Sequence, residues 1–211
     1  MKAQSEIIGS MILITLTIIL GIAGFLLAGS WTLSMYSESA FTSYAELVSN
    51  EFLFLPISFE NRGSYVVIYA GVIRVGVLQG VYSLHTYITF HVALSYTQRW
   101  WELPQLPPSN IGYNISSPEG SPYNLSFNSL DGGFGADSSR LYAKYLGSWY
   151  SLKDLRAFDV LNIYEVGTLS IDSVLFLNIT VPSNYKYIYV VLWVGYNDRH
   201  VSIPFMMPVG K

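Results

Sequence analysis

The feature that most restricts this chain is a run of 31 residues, Ile7 to Ser37, without one Asp, Glu, Lys or Arg. Its centre, IIGSMILITLTIILGIAGFLLAGSW, is nearly all apolar. About 20 such residues cross the hydrocarbon core of a bilayer as a helix, so this run spans one with residues to spare. Three arrangements compete for it. A helix buried in a water-soluble domain normally keeps a polar stripe, and this run has none. A secretory signal peptide cut near Ala28-Gly29-Ser30 has the required small residues, but signal h-regions are typically about 7 to 15 residues long, shorter than this run. The third is a helix that continues. Phe41, Tyr44, Ala45, Val48 and Phe52 recur at helical spacing, while Glu38, Ser39, Ser43, Glu46 and Asn50 face elsewhere. No proline intervenes before Pro56, and a residue preceding proline is biased out of the helical region, so Leu55 is the latest end. One helix over residues 4–51 is therefore expected, on the order of 70 Å long at 1.5 Å per residue.

Composition closes off several function classes. Charged residues make up 12% of the 211, about half the usual share, and 51% are hydrophobic. Eleven basic against 14 acidic side chains, with no basic run, give a net charge of -3, which argues against a nucleic-acid partner held by phosphate neutralisation. The chain has no cysteine, which removes disulfide frameworks, thiolate metal sites and cysteine nucleophiles. With 17 Tyr, 11 Phe and 5 Trp there is enough apolar area to offset ordering entropy, so the chain is not disordered.

The start, Lys2-Ala3-Gln4-Ser5-Glu6-Ile7-Ile8-Gly9, runs straight into the uncharged helix and resembles the class III signal peptide of archaeal type IV pilins and related surface-filament subunits. The resemblance covers about the first 30 residues. It implies cutting by a dedicated prepilin peptidase after the pair Lys2-Ala3, leaving Gln4 as the new N-terminus and residues 1–3 as a short leader. Glu6 would then be third in the mature chain, where filament subunits often place an acidic residue fifth. The resemblance also implies an assembly ATPase, a platform membrane protein and identical subunits as partners, with the membrane holding the precursor. A helix that first crosses a membrane and then packs among its own copies has to be apolar on every side, and small residues let such helices approach closely. Gly9, Ser10, Gly21, Gly24, Ala28 and Gly29 are of that kind, Gly24 and Ala28 at the four-residue spacing of membrane helix contacts.

After Pro56 the period changes from helical to alternating. Residues 81–96, VYSLHTYITFHVALSY, place Tyr82, Leu84, Ile88, Phe90, Val92, Leu94 and Tyr96 on one face and Ser83, His85, Thr89, His91 and Ser95 on the other. Residues 174–181 alternate likewise, with Leu175, Leu177, Ile179 and Val181 against Asn178 and Thr180. Further strands are expected at 52–59, 65–70, 72–78, 159–166, 187–194 and 201–205, with turns at Asn61-Arg62-Gly63, Gly71, Gly80 and Asn197-Asp198. Residues 187–194 are apolar on both faces and so predict a central strand. Residues 103–140 hold Pro104, Pro107, Pro108, Pro118 and Pro122 with many Gly, Ser and Asn, and read as a long irregular insertion. The fold class that follows is α+β: a long N-terminal hydrophobic helix, then an antiparallel β-sandwich-like head over residues 52–211.

Candidate sites are few. Three Asn-x-Ser/Thr sequons begin at Asn114, Asn124 and Asn178 and are N-glycosylation candidates if the head is extracytoplasmic. Trp100 and Trp101, beside Tyr96 and Pro104, would suit stacking on a sugar or a neighbouring subunit, with core packing the simpler role. His85 and His91 share a strand face but stand six residues, roughly 20 Å, apart, too far to bind one ion, and read as surface histidines. His200, beside Asp198 and Arg199, reads as turn chemistry. Asp131 to Asp137, DGGFGAD, lacks the ending of a phosphate loop and the ligand spacing of a calcium loop, so a turn is expected. No nucleophile-base set is identifiable, and neither metal nor cofactor is expected. The sequence thus reads as a structural, non-enzymatic subunit of a cell-surface filament, polymerising through its N-terminal helix, with adhesion as the expected role. The alternatives are a membrane-anchored β-sandwich binding protein that never polymerises, of archaellum stator type or glycan-binding, and a secreted β-sandwich whose signal is removed.

Overall fold

A computed structural model of the chain describes residues 2–76, 83–117, 121–130, 133–171 and 173–209, the side chains of residues 2–14 and Tyr123 excepted. One helix, α1 (Lys2–Ser49), is followed by twelve strands among the described residues: β1 (Phe52–Asn61), β2 (Tyr65–Arg74), β3 (Ser83–Ala93), β4 (Ile111–Ser116), β5 (Asn128–Ser129), β6 (Phe134–Asp137), β7 (Leu141–Tyr145), β8 (Ser148–Ser151), β9 (Val160–Ser170), β10 (Val174–Pro182), β11 (Tyr187–Tyr196) and β12 (Arg199–Pro208). The chain divides into two compact units, residues 1–43 and 44–211, so the last turn and a half of α1 belongs with the strands. The α+β class expected from the sequence is the class observed.

The strands of the second unit form two sheets. One has five strands in the order β1-β2-β10-β4-β5, and the other seven in the order β6-β9-β3-β11-β12-β7-β8. All pairings are antiparallel except that of β7 with β12, which is parallel over His200↔Leu141 and Val201↔Tyr142. Between the sheets lies a core of alternating residues: Ile68, Ala70 and Val72 of β2 and Leu175, Leu177, Ile179 and Val181 of β10, with Ile88 and Phe90 of β3 and Val190, Leu192 and Val194 of β11. Phe54 and Phe205 stack across the sandwich at 5.3 Å. As the two-sided apolarity of residues 187–194 predicts, β11 is central, flanked by β3 and β12.

The opposite face of the seven-stranded sheet carries a second core. Tyr189, Val191 and Trp193 of β11 pack there with Trp100, Trp101, Ala136, Leu141, Ala143, Leu152, Leu161 and Ile163. Its indoles meet edge to face, Trp100 5.6 Å from both Trp101 and Trp193, an arrangement that favours aromatic pairs. The Trp193 Nε1–H donates to the Thr89 hydroxyl at 3.1 Å, satisfying the one polar atom of a fully buried ring.

The strand assignments correct two expectations. The segment 103–140 is not wholly irregular: it supplies β4 and β5 to one sheet and β6 to the other, with short 3-10 turns at Pro108–Asn110, Pro122–Asn124 and Ser138–Arg140. Its proline-rich start runs alongside β3, with Val92 N–H donating to Pro104 O at 3.1 Å and Leu106 N–H to Phe90 O at 2.8 Å. Gly71 is likewise not a turn between two strands but an interior residue of β2. A side chain there would come within 3.3 Å of Val174 and 3.8 Å of Ile57, so its glycine reflects close approach of neighbouring side chains. The turn signals at Asn61-Arg62-Gly63 and Asn197-Asp198 hold. Gly63 (φ 80°) donates its N–H to the Asn61 side chain at 2.9 Å, and Asn197 (φ 55°) turns β11 into β12. Gly80, Asp131 and Gly132 lie outside the described residues.

Because Trp193 is the largest side chain joining β11 to the second core, Trp193→Ala should cost about 3–5 kcal/mol. The measurement is the denaturant midpoint of the full chain in detergent, and an unchanged midpoint would contradict this packing.

Candidate functional site

The first unit presents apolar side chains to its surroundings. From Thr15 to Ser39 no α1 side chain is buried; Phe25 is 79% exposed, and Leu27, Trp31, Leu33, Met35 and Tyr36 are similarly open. An ordinary surface helix hides its apolar stripe, whereas this one is apolar all round. By length and composition it is able to cross a membrane. Side chains built at Gly21, Gly24 or Gly29 would meet nothing within 4 Å, so these glycines open gaps on the outside of the helix and serve no contact within the chain. Ala28 is exposed beside one such gap, lining with Leu27, Ser30 and Trp31 a shallow apolar cleft of about 270 Å³. The backbone of Lys2, Ala3, Gln4 and Gly9 is part of α1, and their side-chain surroundings lie outside the described residues.

The end of α1 is held in the second unit by polar contacts. Tyr44 donates its hydroxyl to Gly195 O at 3.0 Å and packs on Tyr196 at 4.4 Å. Glu46 accepts from Lys144 Nζ at 2.7 Å and from Trp149 Nε1 at 3.1 Å, while Ala45 and Val48 are buried. Two residues past the helix, Glu51 forms a buried ion pair with Arg74, Nε to Oε2 at 2.7 Å, and its carbonyl accepts from Val75 N–H at 2.6 Å. Removing one member of such a pair leaves an uncompensated buried charge, so the residue that precedes β1 is tied to the far end of β2. Sequence reading missed this pair because Glu51 and Arg74 meet only through the β1–β2 register, which sets Phe52 opposite Arg74.

The remaining sequence candidates fall in different places. Trp100 and Trp101 are 2% and 1% exposed and belong to the second core, the simpler role expected of them, so they offer no platform to a sugar or a neighbouring subunit. The aromatic ring left accessible there is Tyr96, at the rim of an open cleft of about 310 Å³ lined also by Gln98, Lys144, Leu146 and Met206. Asn114 and Asn178 lie on adjacent strands of the five-stranded sheet, and Asn124 lies in a 3-10 turn. His85 is exposed, its Nε2 3.2 Å from the Glu165 carboxylate of β9, a partner invisible along the strand itself. His91 is fully buried, contrary to its reading as a surface residue, because the 100–106 segment covers that face of β3. His200 opens β12 beside the Asn197 turn and meets the Tyr87 ring at 5.3 Å. Among the described residues no group of three or more His, Asp or Glu side chains is placed to hold a metal ion.

No protein-family model matches this chain, and no curated protein matches it.

Two local features have measurable consequences. Leu146 and Gly147 form the two-residue turn of the β7–β8 hairpin, both at positive φ (50° and 85°), where Asn or Gly is favoured over a bulky residue. Leu146→Asn should raise stability by about 1 kcal/mol, read as a later thermal transition, and a lower transition would show that the exposed leucine packs on something in the free chain. His91 donates Nδ1–H to Leu103 O at 3.1 Å while Nε2 meets no partner, and burial holds its pKa down at about 4, below the ordinary 6.5. The fold therefore favours neutral imidazole, and its contribution is complete above pH 6.5 and lost as pH falls towards 4, roughly 3 kcal/mol in all. His91→Gln should flatten the stability curve across that window, and equal slopes in both proteins would contradict the buried-imidazole account.

Proposed function

We propose that this protein is a structural subunit of an archaeal type IV pilus-like surface filament, held in the membrane as a precursor and assembled through α1, with its β-sandwich outside the cell. The observation that carries this reading is the full-circumference apolar surface of α1. A membrane anchor needs about 20 apolar residues, and the uncharged run has 31, with glycines opening outward gaps at Gly21, Gly24 and Gly29. Lipid satisfies such a surface while the helix spans a bilayer, and neighbouring identical helices satisfy it equally in a filament core, where small residues allow close approach. The N-terminal resemblance supplies the processing step: a prepilin peptidase cuts after Lys2-Ala3, and an assembly ATPase with its platform protein drives extraction from the membrane. Cohesion comes from burial of apolar area and needs no catalytic group in the chain. Adhesion is the role we assign to the filament.

The mature N-terminus decides between this reading and its rivals. Mass spectrometry of the natural protein should find Gln4. Met1 would indicate a fixed anchor that never polymerises, and a start near Trp31 would indicate a secreted head. Replacing Lys2 and Ala3 together should leave unprocessed precursor in the membrane and no filaments, and normal filaments from that variant would overturn the proposal.

A further inference from the structure

The three sequons differ in what their atoms are already doing. Asn114 is in β4, opposite Phe176 of β10, and its Nδ2 donates to Ser126 O at 2.8 Å. Its Oδ1 in turn accepts the hydroxyl of Ser116, the third residue of the same sequon. Asn178 is in β10, between Tyr69 of β2 and Gly112 of β4, so its sequon is laddered on both sides and the intervening Ile179 is fully buried in the inner core. Asn124 ends the turn Pro122–Asn124, in no strand. Asn124 and Ser126 are both exposed, and among the described residues the Asn124 carboxamide makes no hydrogen bond. Residues 103–130 around it carry one charged side chain, Glu119, so this surface depends on hydroxyls and amides for solvation.

We infer that Asn124 is the N-glycosylated residue of this chain, and that Asn114 and Asn178 stay bare. The inference rests on the proposed extracellular placement of the head and names a modification that the placement alone does not. The donor is a polyprenyl-phosphate-linked oligosaccharide. The Asn124 amide nitrogen attacks the anomeric carbon, the new C–N bond forms as the C–O bond to phosphate breaks, the phosphate leaves with that electron pair, and the amide proton passes to a base of the transferase. For this the nitrogen has to be free of other acceptors, and the three sequon residues have to fit a transferase groove. Asn124 meets the first condition, and towards the second Asn124 and Ser126 are exposed and in no strand, although the Ser126 carbonyl is held by Asn114. Asn114 would have to give up its bond to Ser126, and Asn178 would have to leave a two-sided ladder and expose Ile179.

The test is site-resolved mass spectrometry on the full chain isolated from the cells that make it. Chymotrypsin is the suitable protease because Tyr123 lies between Asn114 and Asn124. A saccharide mass increment is expected on Asn124, lost in Asn124→Gln and Ser126→Ala and retained in Asn114→Gln and Asn178→Gln. An increment on Asn114 or Asn178 with Asn124 bare overturns the inference. So do three bare asparagines in a protein whose head is cleaved by protease added to intact cells. Three bare asparagines with a head that such protease cannot reach overturn the extracellular placement, and the glycan with it.

Discussion

Both faces of β11 have to be kept from water, and the head is built around that requirement. Val190, Leu192 and Val194 face the five-stranded sheet, while Tyr189, Val191 and Trp193 face away from it and are as deeply buried. A two-layer sandwich covers one face of a sheet and leaves the other to solvent. Here the second face is covered by the chain between β3 and β9, which brings Trp100, Trp101, Leu141 and Leu152 over it. This covering chain is thus what allows a strand of this composition to exist, and the prolines within it suit short ladders and 3-10 turns that need few backbone donors.

The shortage of charge has two physical consequences. In the head, residues 38–211 carry 23 charges over 174 positions, about half the usual density, and much of the polar surface is amide and hydroxyl. Where charge is placed inside, it is paired, as at Glu51 and Arg74, or kept neutral, as at His91. Over residues 7–37 of α1 the absence of charge leaves a surface that water cannot satisfy at acceptable cost, and this drives the proposal that lipid and then other copies of the helix cover it.

Much of the architecture was legible from polarity period alone. The change from helical to alternating spacing near Pro56 marked the end of α1 and the start of the strands, and the Asn61-Arg62-Gly63 and Asn197-Asp198 turns closed hairpins where expected. The errors share a cause. His91 and Thr89 lie on the more polar face of an alternating strand, so local reasoning sends both to the surface, while Trp100 and Trp101 stand in a polar, proline-containing stretch that says nothing of what they cover. They are buried because each lies under the other: the tryptophan segment folds over the face of the sheet that holds the histidine and threonine.

The sequence by itself determined the helix, the order of the long strands and the central place of β11, because each follows from spacing between near neighbours. Only the tertiary structure decided which apparent loops become strands, which polar faces are buried and which of three sequons has its asparagine outside the strands. Those outcomes depend on what a distant segment lays over a residue, as with Glu51 against Arg74 or Ser126 against Asn114, and pairings of that kind leave no periodic trace along the chain.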